Sequence, residues 1–280
     1  MRASSSPEPL PRASGAREPR APRTPLPVLA AAGVAVAFFA LPLVGLLVRT
    51  SWSTLVEDVT RPESLEALRL SIVCSLGATA LSVLFGLPLA WVLARVPFRG
   101  RSVARGLVLL PLVLPPVVGG VALLSAFSRR GLVGEHLWDW LGVQLTFTTA
   151  GAILAETFVA LPFFVLTVEA GLRSMDRRYE EAALSLGASP VVVFRRVTLP
   201  LIAPTVLAGA VLAWARALGE FGATITFAGN IVGRTQTLPL AVYLQLEQHP
   251  DTAVALSLVL MFVSLAVVVA LRDRWLGGSR

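Results

Sequence analysis

The chain has 280 residues, 55% of them hydrophobic and only 15% charged against the roughly 25% usual in soluble domains, so an integral membrane protein is predicted. Its net charge of +7 comes from arginines at the ends of apolar runs, which favours a bilayer over nucleic acid as the partner. All 24 basic residues are arginine, which excludes a P-loop ATPase, because that motif needs a lysine to reach the phosphates.

The sequence begins with a polar tail, and six long apolar runs follow it. Residues 1–26 are rich in Pro, Arg, Ser and Ala, which bury little surface, so we expect a disordered cytoplasmic tail. A helix needs about 20 apolar residues to cross the hydrocarbon core, and residues 27–275 hold six such runs. The sequence therefore predicts an all-α membrane domain with six transmembrane helices. The predicted spans are residues 27–48, 68–94, 106–128, 148–172, 199–227 and 252–271.

Two of the predicted spans contain residues that are unusual inside a membrane. Pro111, Pro115 and Pro116 are expected to break the third span. Such a break either lines a cavity or is a simple kink, and the sequence leaves both open. The fourth span carries Glu156 and Glu169, which either cap hydrogen bonds between helices or line a polar path.

The distribution of arginines predicts the orientation of the spans. The tail, the C-terminus and two of the loops, including residues 173–200, together hold 17 arginines, and the alternate loops hold 5. Loops rich in arginine stay in the cytoplasm, so the side with 17 is expected to be cytoplasmic. A multi-pass protein of the cell membrane with both termini in the cytoplasm follows from this count.

Residues 173–200, between the fourth and fifth predicted spans, carry signals for a surface helix. Asp176 is placed to cap a helix that begins at Arg177, because its side chain accepts N–H groups that the first turn leaves free. Gly187 suits the left-handed residue that ends such a helix. A narrow apolar stripe with helical spacing lies between these two signals. The stripe consists of Tyr179, Ala182, Ala183 and Leu186.

A second short helix is predicted from Val191 to Val197. Ser189 would be its cap and Pro190 would lie in its first turn, while Leu199 and Pro200 would end it where the next span begins. The result is a helix-turn-helix at the membrane surface, which we call the elbow (residues 173–200). An amphipathic hairpin that serves only as a linker is the alternative on local pattern alone.

The elbow also carries a spaced motif. It reads E-A-A-L-S-L-G up to Gly187, then nine residues, then V-T-L-P. This closely resembles the EAA-x3-G-x9-I-x-L-P cytoplasmic loop in permease subunits of bacterial ABC importers, with Val197 at the Ile position. The resemblance implies a type I importer permease fold, in which the elbow is a coupling loop that docks into a groove of an ATPase subunit. The implied coupling residues are Glu181, Ala182, Ala183, Gly187, Leu199 and Pro200.

The stretch from Ala215 to Tyr243 carries a second resemblance. It resembles the molybdate/tungstate and sulfate permeases, which share the core G-E-F-G-A (residues 219–223). Two further segments favour the molybdate type: F-A-G-N-I (residues 227–231) and G-R-T-Q-T-L-P-L (residues 233–240). The resemblance covers roughly residues 60–270. It implies ATP-driven inward transport of molybdate or tungstate, and the alternative cargo is sulfate or thiosulfate. A less favoured alternative function is a secondary transporter that needs no ATPase.

Arg216 and Glu220 lie four residues apart and share one helix face within the membrane. Ionisable groups there are costly and usually face the protein interior or a water-filled path. They either line the path of an oxyanion or form a self-neutralising pair that holds the fifth span. Hydroxyl and amide groups that follow could donate hydrogen bonds without trapping the ion. The candidate path residues are Arg216, Glu220, Thr224, Asn230, Thr235 and Thr237.

The family resemblance also implies partners. A homodimer would present two elbows to two ATPase subunits, which use ATP and Mg²⁺, and an extracytoplasmic binding protein would deliver the cargo. No cofactor is implied for this chain. Cys74 lies in an apolar run, and His136 and His249 lie far apart, so no metal site is expected. A membrane-embedded enzyme is disfavoured because no nucleophile and base are paired in the sequence.

Overall fold

The computed structural model describes residues 25–276, so residues 1–24 of the predicted tail lie outside the described residues. Within that range every regular element is helical, as the apolar runs predicted. A π-helical turn, Phe194–Thr198, joins two of the helices. The helices are α1 (Leu26–Arg49), α2 (Leu55–Thr60), α3 (Pro62–Arg95), α4 (Arg101–Val113), α5 (Pro116–Phe127), α6 (Gly134–Leu141), α7 (Thr149–Ser174), α8 (Arg178–Ser185), α9 (Pro190–Val193), α10 (Leu199–Leu218), α11 (Gly222–Ala228), α12 (Leu238–Gln248) and α13 (Pro250–Leu276).

Four helices in the described range are long and apolar enough to cross a bilayer, by length and composition. They are α1, α3, α7 and the continuous helix Pro190–Leu218, which runs from α9 through the π-helical turn into α10. The third predicted span falls on α4 and α5, and the sixth falls on α13, where Pro250–Ala266 is apolar. The chain is a multi-pass membrane protein, and the count of six spans stays a prediction.

The chain divides into two compact units, and the second unit begins at Leu46. Three long helices of this second unit, α3, α7 and α10, form its central bundle. Small residues let the helices approach closely, as is usual between membrane helices. A Cβ on Gly86 would lie 2.6 Å from Phe164 Cδ1, and a Cβ on Gly209 would lie 3.3 Å from Phe164 Cδ2. The alanines buried in this core are Ala78, Ala90, Ala94, Ala160, Ala213 and Ala217.

The third predicted span is broken, as its prolines predicted. α4 ends at Val113 and α5 begins at Pro116. Leu114 between them is extended, with φ −65° and ψ 134°, because a residue that precedes a proline is disfavoured in the helical region. Past the break, α5 packs against α11.

Gly120→Ala is expected to destabilise the protein by forcing α5 and α11 apart. A Cβ on Gly120 would lie 2.6 Å from Thr226 Cβ and 3.0 Å from the Ala223 carbonyl oxygen, which is backbone and cannot rotate away. Overpacking of this kind typically costs about 1–3 kcal/mol. Thermal unfolding of the detergent-solubilised protein measures the effect. Gly106→Ala is the matched control because nothing lies within 4 Å of its added Cβ. Equal melting temperatures for the two variants would contradict the close packing.

The predicted extent of the fifth span, residues 199–227, is wrong, because the helix stops at Leu218 and a new helix, α11, begins at Gly222. The backbone N–H of Glu220 bonds back to Ala217 O at 2.9 Å, which tightens the turn. The Glu220 carboxylate then accepts the Ala223 N–H at 2.8 Å and so caps α11. A buried carboxylate therefore ends one helix and starts the next.

Three shorter helices, α2, α6 and α12, lie outside the predicted spans. Two of them are attached to the rest of the second unit by buried polar contacts. In α2, Asp58 accepts a hydrogen bond from Thr252 Oγ1 of α13 at 2.8 Å. At the start of α12, the Leu238 N–H bonds to Ser71 Oγ of α3 at 2.7 Å. These contacts join residues that are far apart in sequence, so a local pattern gives no sign of them.

Candidate functional site

The first half of the elbow folds as its capping signals predicted. The Arg178 N–H bonds to Asp176 Oδ1 at 2.9 Å, and α8 begins at Arg178, one residue later than predicted. At its other end Gly187 has φ +84°, in the left-handed region. The Ala188 N–H bonds to Ala183 O at 3.1 Å, which is the six-to-one hydrogen bond of a Schellman ending. The turn between α8 and α9 is therefore closed by the backbone of α8 itself.

The second half of the elbow differs from the prediction. Ser189 does cap α9, accepting the Val192 N–H at 3.4 Å, but the predicted end at Leu199 and Pro200 is wrong. The helix continues through the π-helical turn into α10, and the Leu199 N–H bonds to Phe194 O, five residues back. Pro200 has no N–H to donate, and this widened turn accommodates it without a break. The elbow is thus continuous with a helix of the central bundle.

The outer face of the elbow is open. Tyr179 is 59% exposed and Leu186 is 89% exposed, while Ala182 is exposed and Ala183 is half-buried. Alanines keep this face thin between two larger apolar residues. Exposed apolar groups on a polar helix are typical of a surface that a partner covers. Of the other coupling candidates, Glu181, Gly187 and Pro200 are exposed and Leu199 is half-buried.

The inner face of the elbow carries a residue that sequence reasoning missed. Glu180 forms an ion pair with Arg95 at the end of α3 and accepts a hydrogen bond from Thr198 in the π-helical turn. Glu169 on α7, for which the sequence left two roles open, pairs with Arg105 of α4 and, at 2.8 Å, with Arg173, so it links α4 to α7. The sequence signal for these pairs is the presence of acidic residues next to arginine-rich loops, and that signal does not indicate which residues pair.

Arg216 and Glu220 do form a pair, across the end of α10. Arg216 Nη2 lies 2.6 Å from Glu220 Oε2. The Glu220 side chain is 1% exposed, whereas that of Arg216 is 26% exposed. Glu220 therefore holds the break between α10 and α11, and part of Arg216 remains accessible.

The remaining path candidates lie in α11 and in residues 229–237, and most of them are buried. Thr224, Thr235 and Thr237 are almost wholly buried in the single chain. Thr235 Oγ1 accepts the Ile231 N–H at 2.9 Å and so closes a turn of the loop. The Thr224 and Thr237 hydroxyls have no hydrogen-bond partner among the described residues. Asn230 is half-buried, and its Nδ2 donates to Leu240 O at 3.5 Å.

Two further buried groups lie in the bundle. Glu156 on α7 is 1% exposed, and its Oε2 has no hydrogen-bond partner within the described residues. Cys74 on α3 is a buried free thiol. Within residues 25–276 no group of three or more His, Cys, Asp or Glu side chains is arranged to hold a metal ion.

Comparison with known proteins identifies relatives over most of the chain. It is 50% identical over 257 residues to the molybdenum transport system permease protein ModB of Mycobacterium tuberculosis, covering 90% of this chain and 96% of that protein. It is 36% identical over 230 residues to the sulfate transport system permease protein CysT of Salmonella typhimurium, covering 82% of this chain and 83% of that protein.

A solved structure shares the fold. The chain matches a bacterial alginate ABC transporter, in complex with an alginate pentasaccharide-bound periplasmic protein, with a TM-score of 0.66 and 21% sequence identity. The match covers 86% of this chain and 91% of that chain, and it confirms the predicted importer permease fold. Residues 82–278 match the family described as binding-protein-dependent transport system inner membrane component. The chain therefore belongs to the family of inner membrane components of binding-protein-dependent transport systems.

Proposed function

We propose that this chain is the membrane-spanning subunit of an ATP-driven importer and that its cargo is molybdate or tungstate. The observation that carries the proposal is the 50% identity, over 90% of the chain, to a molybdenum transport permease. The segment from Gly233 to Leu240 supports the same cargo, because its sequence favours the molybdate type. Sulfate is the alternative, supported by the 36% identity to a sulfate permease.

The elbow is the surface on which a partner ATPase would dock. The chain has no P-loop lysine, so ATP and Mg²⁺ belong to that partner. The exposed stripe from Tyr179 to Leu186 supplies a thin apolar face for a groove, and Glu181 adds a charge at its edge. The excess of arginines on the elbow side supports a cytoplasmic elbow and cytoplasmic termini.

The complete importer would contain more than this chain. One chain has one elbow, so a homodimer would present two elbows to two ATPase subunits. A binding protein on the extracytoplasmic side would deliver the cargo, in keeping with the periplasmic protein in the alginate transporter complex. Much of the choice between molybdate and sulfate then lies with that binding protein.

Continuity between the elbow and α10 gives the proposed mechanism. Closure of the ATPase pair would move the elbows, and the continuous helix Pro190–Leu218 would carry that movement into the bundle. α10 packs on both α3 and α7, so the three helices would shift against one another. Arg216 lies in the last turn of α10, and part of its side chain is accessible. This supports a role in contacting the oxyanion cargo as it passes along the path.

Cargo is tested by uptake in a strain that lacks this gene. We expect loss of uptake of labelled molybdate, restored by the full-length chain, with uptake of labelled sulfate unchanged. The same strain carrying the empty vector is the control for both ions. Loss of sulfate uptake with normal molybdate uptake would contradict the molybdate assignment and support the alternative.

A further inference from the structure

We infer that Glu180 is the positioning residue through which the elbow moves α3 and α10 together. The inference rests on the proposed function, since it concerns how movement of the elbow reaches the bundle. Glu180 stands beside the coupling motif but contacts the bundle, whereas Glu181 is exposed. Neighbouring residues on a helix point about 100° apart, so the two carboxylates serve different faces of α8.

One carboxylate joins three elements. Glu180 Oε2 lies 3.0 Å from Arg95 Nε, at the last residue of α3. Glu180 Oε1 accepts a hydrogen bond of 2.7 Å from Thr198 Oγ1, in the turn that leads into α10. The side chains of Arg95 and Glu180 are only 9% and 14% exposed, and Thr198 is buried. The bond from Thr198 is charge-assisted, whereas the contact with Arg95 is an ion pair without hydrogen-bond geometry, since Arg95 Nε has no hydrogen-bond partner among the described residues. Both contacts are largely shielded from solvent, where charges are screened less than in a surface ion pair.

Apart from Trp91 of α3, whose ring lies edge-to-face on that of Phe194 with 6.1 Å between centroids, the rest of the elbow lies less closely on α3. A cavity of about 260 Å³ lies beside the carboxylate and is lined from α3, α8 and α9. A further contact from the start of the elbow to α3 is long, with Arg177 Nη2 at 3.5 Å from Ala94 O. Across this space the Glu180 side chain is a short and direct connection. The residues lining the cavity include Trp91, Arg95, Arg177, Glu180, Leu184 and Phe194.

The place where Glu180 meets α10 is also suited to transmission. Thr198 lies in the π-helical turn, where hydrogen bonding has slipped from four residues to five. Such turns interrupt the regular ladder of a helix and often occur at functional positions. A carboxylate that binds this turn and α3 at the same time would make the end of α3 and the start of α10 move together when the elbow moves.

The test separates assembly, ATP hydrolysis and movement in the same variants. Wild type, Glu180→Ala, and the charge reversal Glu180→Arg with Arg95→Glu are purified with the ATPase and the binding protein and reconstituted in proteoliposomes. Glu66→Gln is the matched control, because it removes an exposed ion pair with Arg69 on the same helix, α3. A nitroxide on Leu84→Cys, a 63% exposed site on α3, reports movement of α3 without any cargo, and buried Cys74 does not compete for the label.

Glu180→Ala should keep the ATPase bound and hydrolysing ATP within about twofold of wild type, while uptake per ATP falls at least about tenfold, which is within the range of roughly 5–150-fold usual for a coupling between two sites. The ATP-dependent change in the nitroxide spectrum should shrink with it, and the charge reversal should restore both. Normal uptake and spectra in Glu180→Ala would overturn the inference, as would loss of ATPase binding in proportion to uptake. Absence of molybdate uptake in wild type defeats the cargo proposal, and the nitroxide spectra still decide the role of Glu180.

Discussion

Gly187→Val is expected to lower ATP-driven uptake by about tenfold or more while the chain still inserts into the membrane. Gly187 has φ +84°, and a β-branched residue resists the left-handed region, at a cost of roughly 1–2 kcal/mol. Nothing lies within 4 Å of an added Cβ, so the effect comes from the backbone alone. The turn would open, and the Schellman bond from Ala188 to Ala183 that closes α8 would be lost.

Two control variants separate the backbone effect from other causes. Gly187→Asn should keep most of the uptake, because asparagine tolerates the left-handed region far better than valine. Gly106→Ala, with open space around its Cβ, should also leave uptake unchanged. Uptake in proteoliposomes and membrane insertion by protease protection are the measurements. Normal uptake by Gly187→Val would show that the turn geometry is not needed for coupling.

Arg216→Met is expected to lower the free energy of unfolding by about 3 kcal/mol, because it leaves the Glu220 carboxylate buried without its cation. The value is at the lower end for a broken buried pair, since 26% of the Arg216 side chain is exposed in the single chain. Glu220 also caps α11 through Ala223, so the disturbance should reach the break between α10 and α11. Thermal denaturation in detergent measures the loss.

The double variant Arg216→Met with Glu220→Gln distinguishes the two roles left open for the pair. Glutamine removes the unpaired charge and still offers an oxygen to the Ala223 N–H. Stability should therefore recover most of its loss. If uptake recovers as well, the pair is a structural tie, and if uptake stays low, Arg216 acts on the passing ion. A single Arg216→Met variant as stable as wild type would contradict the pairing itself.

Local signals predicted the elbow well because its turns depend on neighbouring residues. The Asp176 side chain accepts the N–H of the residue two positions later, and Ser189 that of the residue three positions later. Gly187 adopts a positive φ because it has no side chain. The first helix of the elbow was therefore correct to within one residue. Apolar runs similarly predicted the long helices, since each needs only its own composition to be stable in a bilayer.

Features that depend on distant residues were not predictable in this way. The partners Glu180 and Arg95 are separated in sequence by the whole of α4 to α7, and no local pattern links them. The break at Glu220 was missed because a carboxylate within an apolar run gives no sign that it caps the following helix. The pattern at Leu199 and Pro200 predicts a helix end, because the π-helical turn that accommodates Pro200 depends on the backbone of Phe194 and has no local sequence signal.

The account is tested most directly by measuring labelled molybdate uptake in proteoliposomes that contain this chain and the binding protein, with and without the ATPase subunit and ATP. We expect uptake only when ATPase and ATP are both present, and we expect Gly187→Val to abolish most of it. Equal uptake without the ATPase would contradict the claim that an ATPase drives these helices through the elbow.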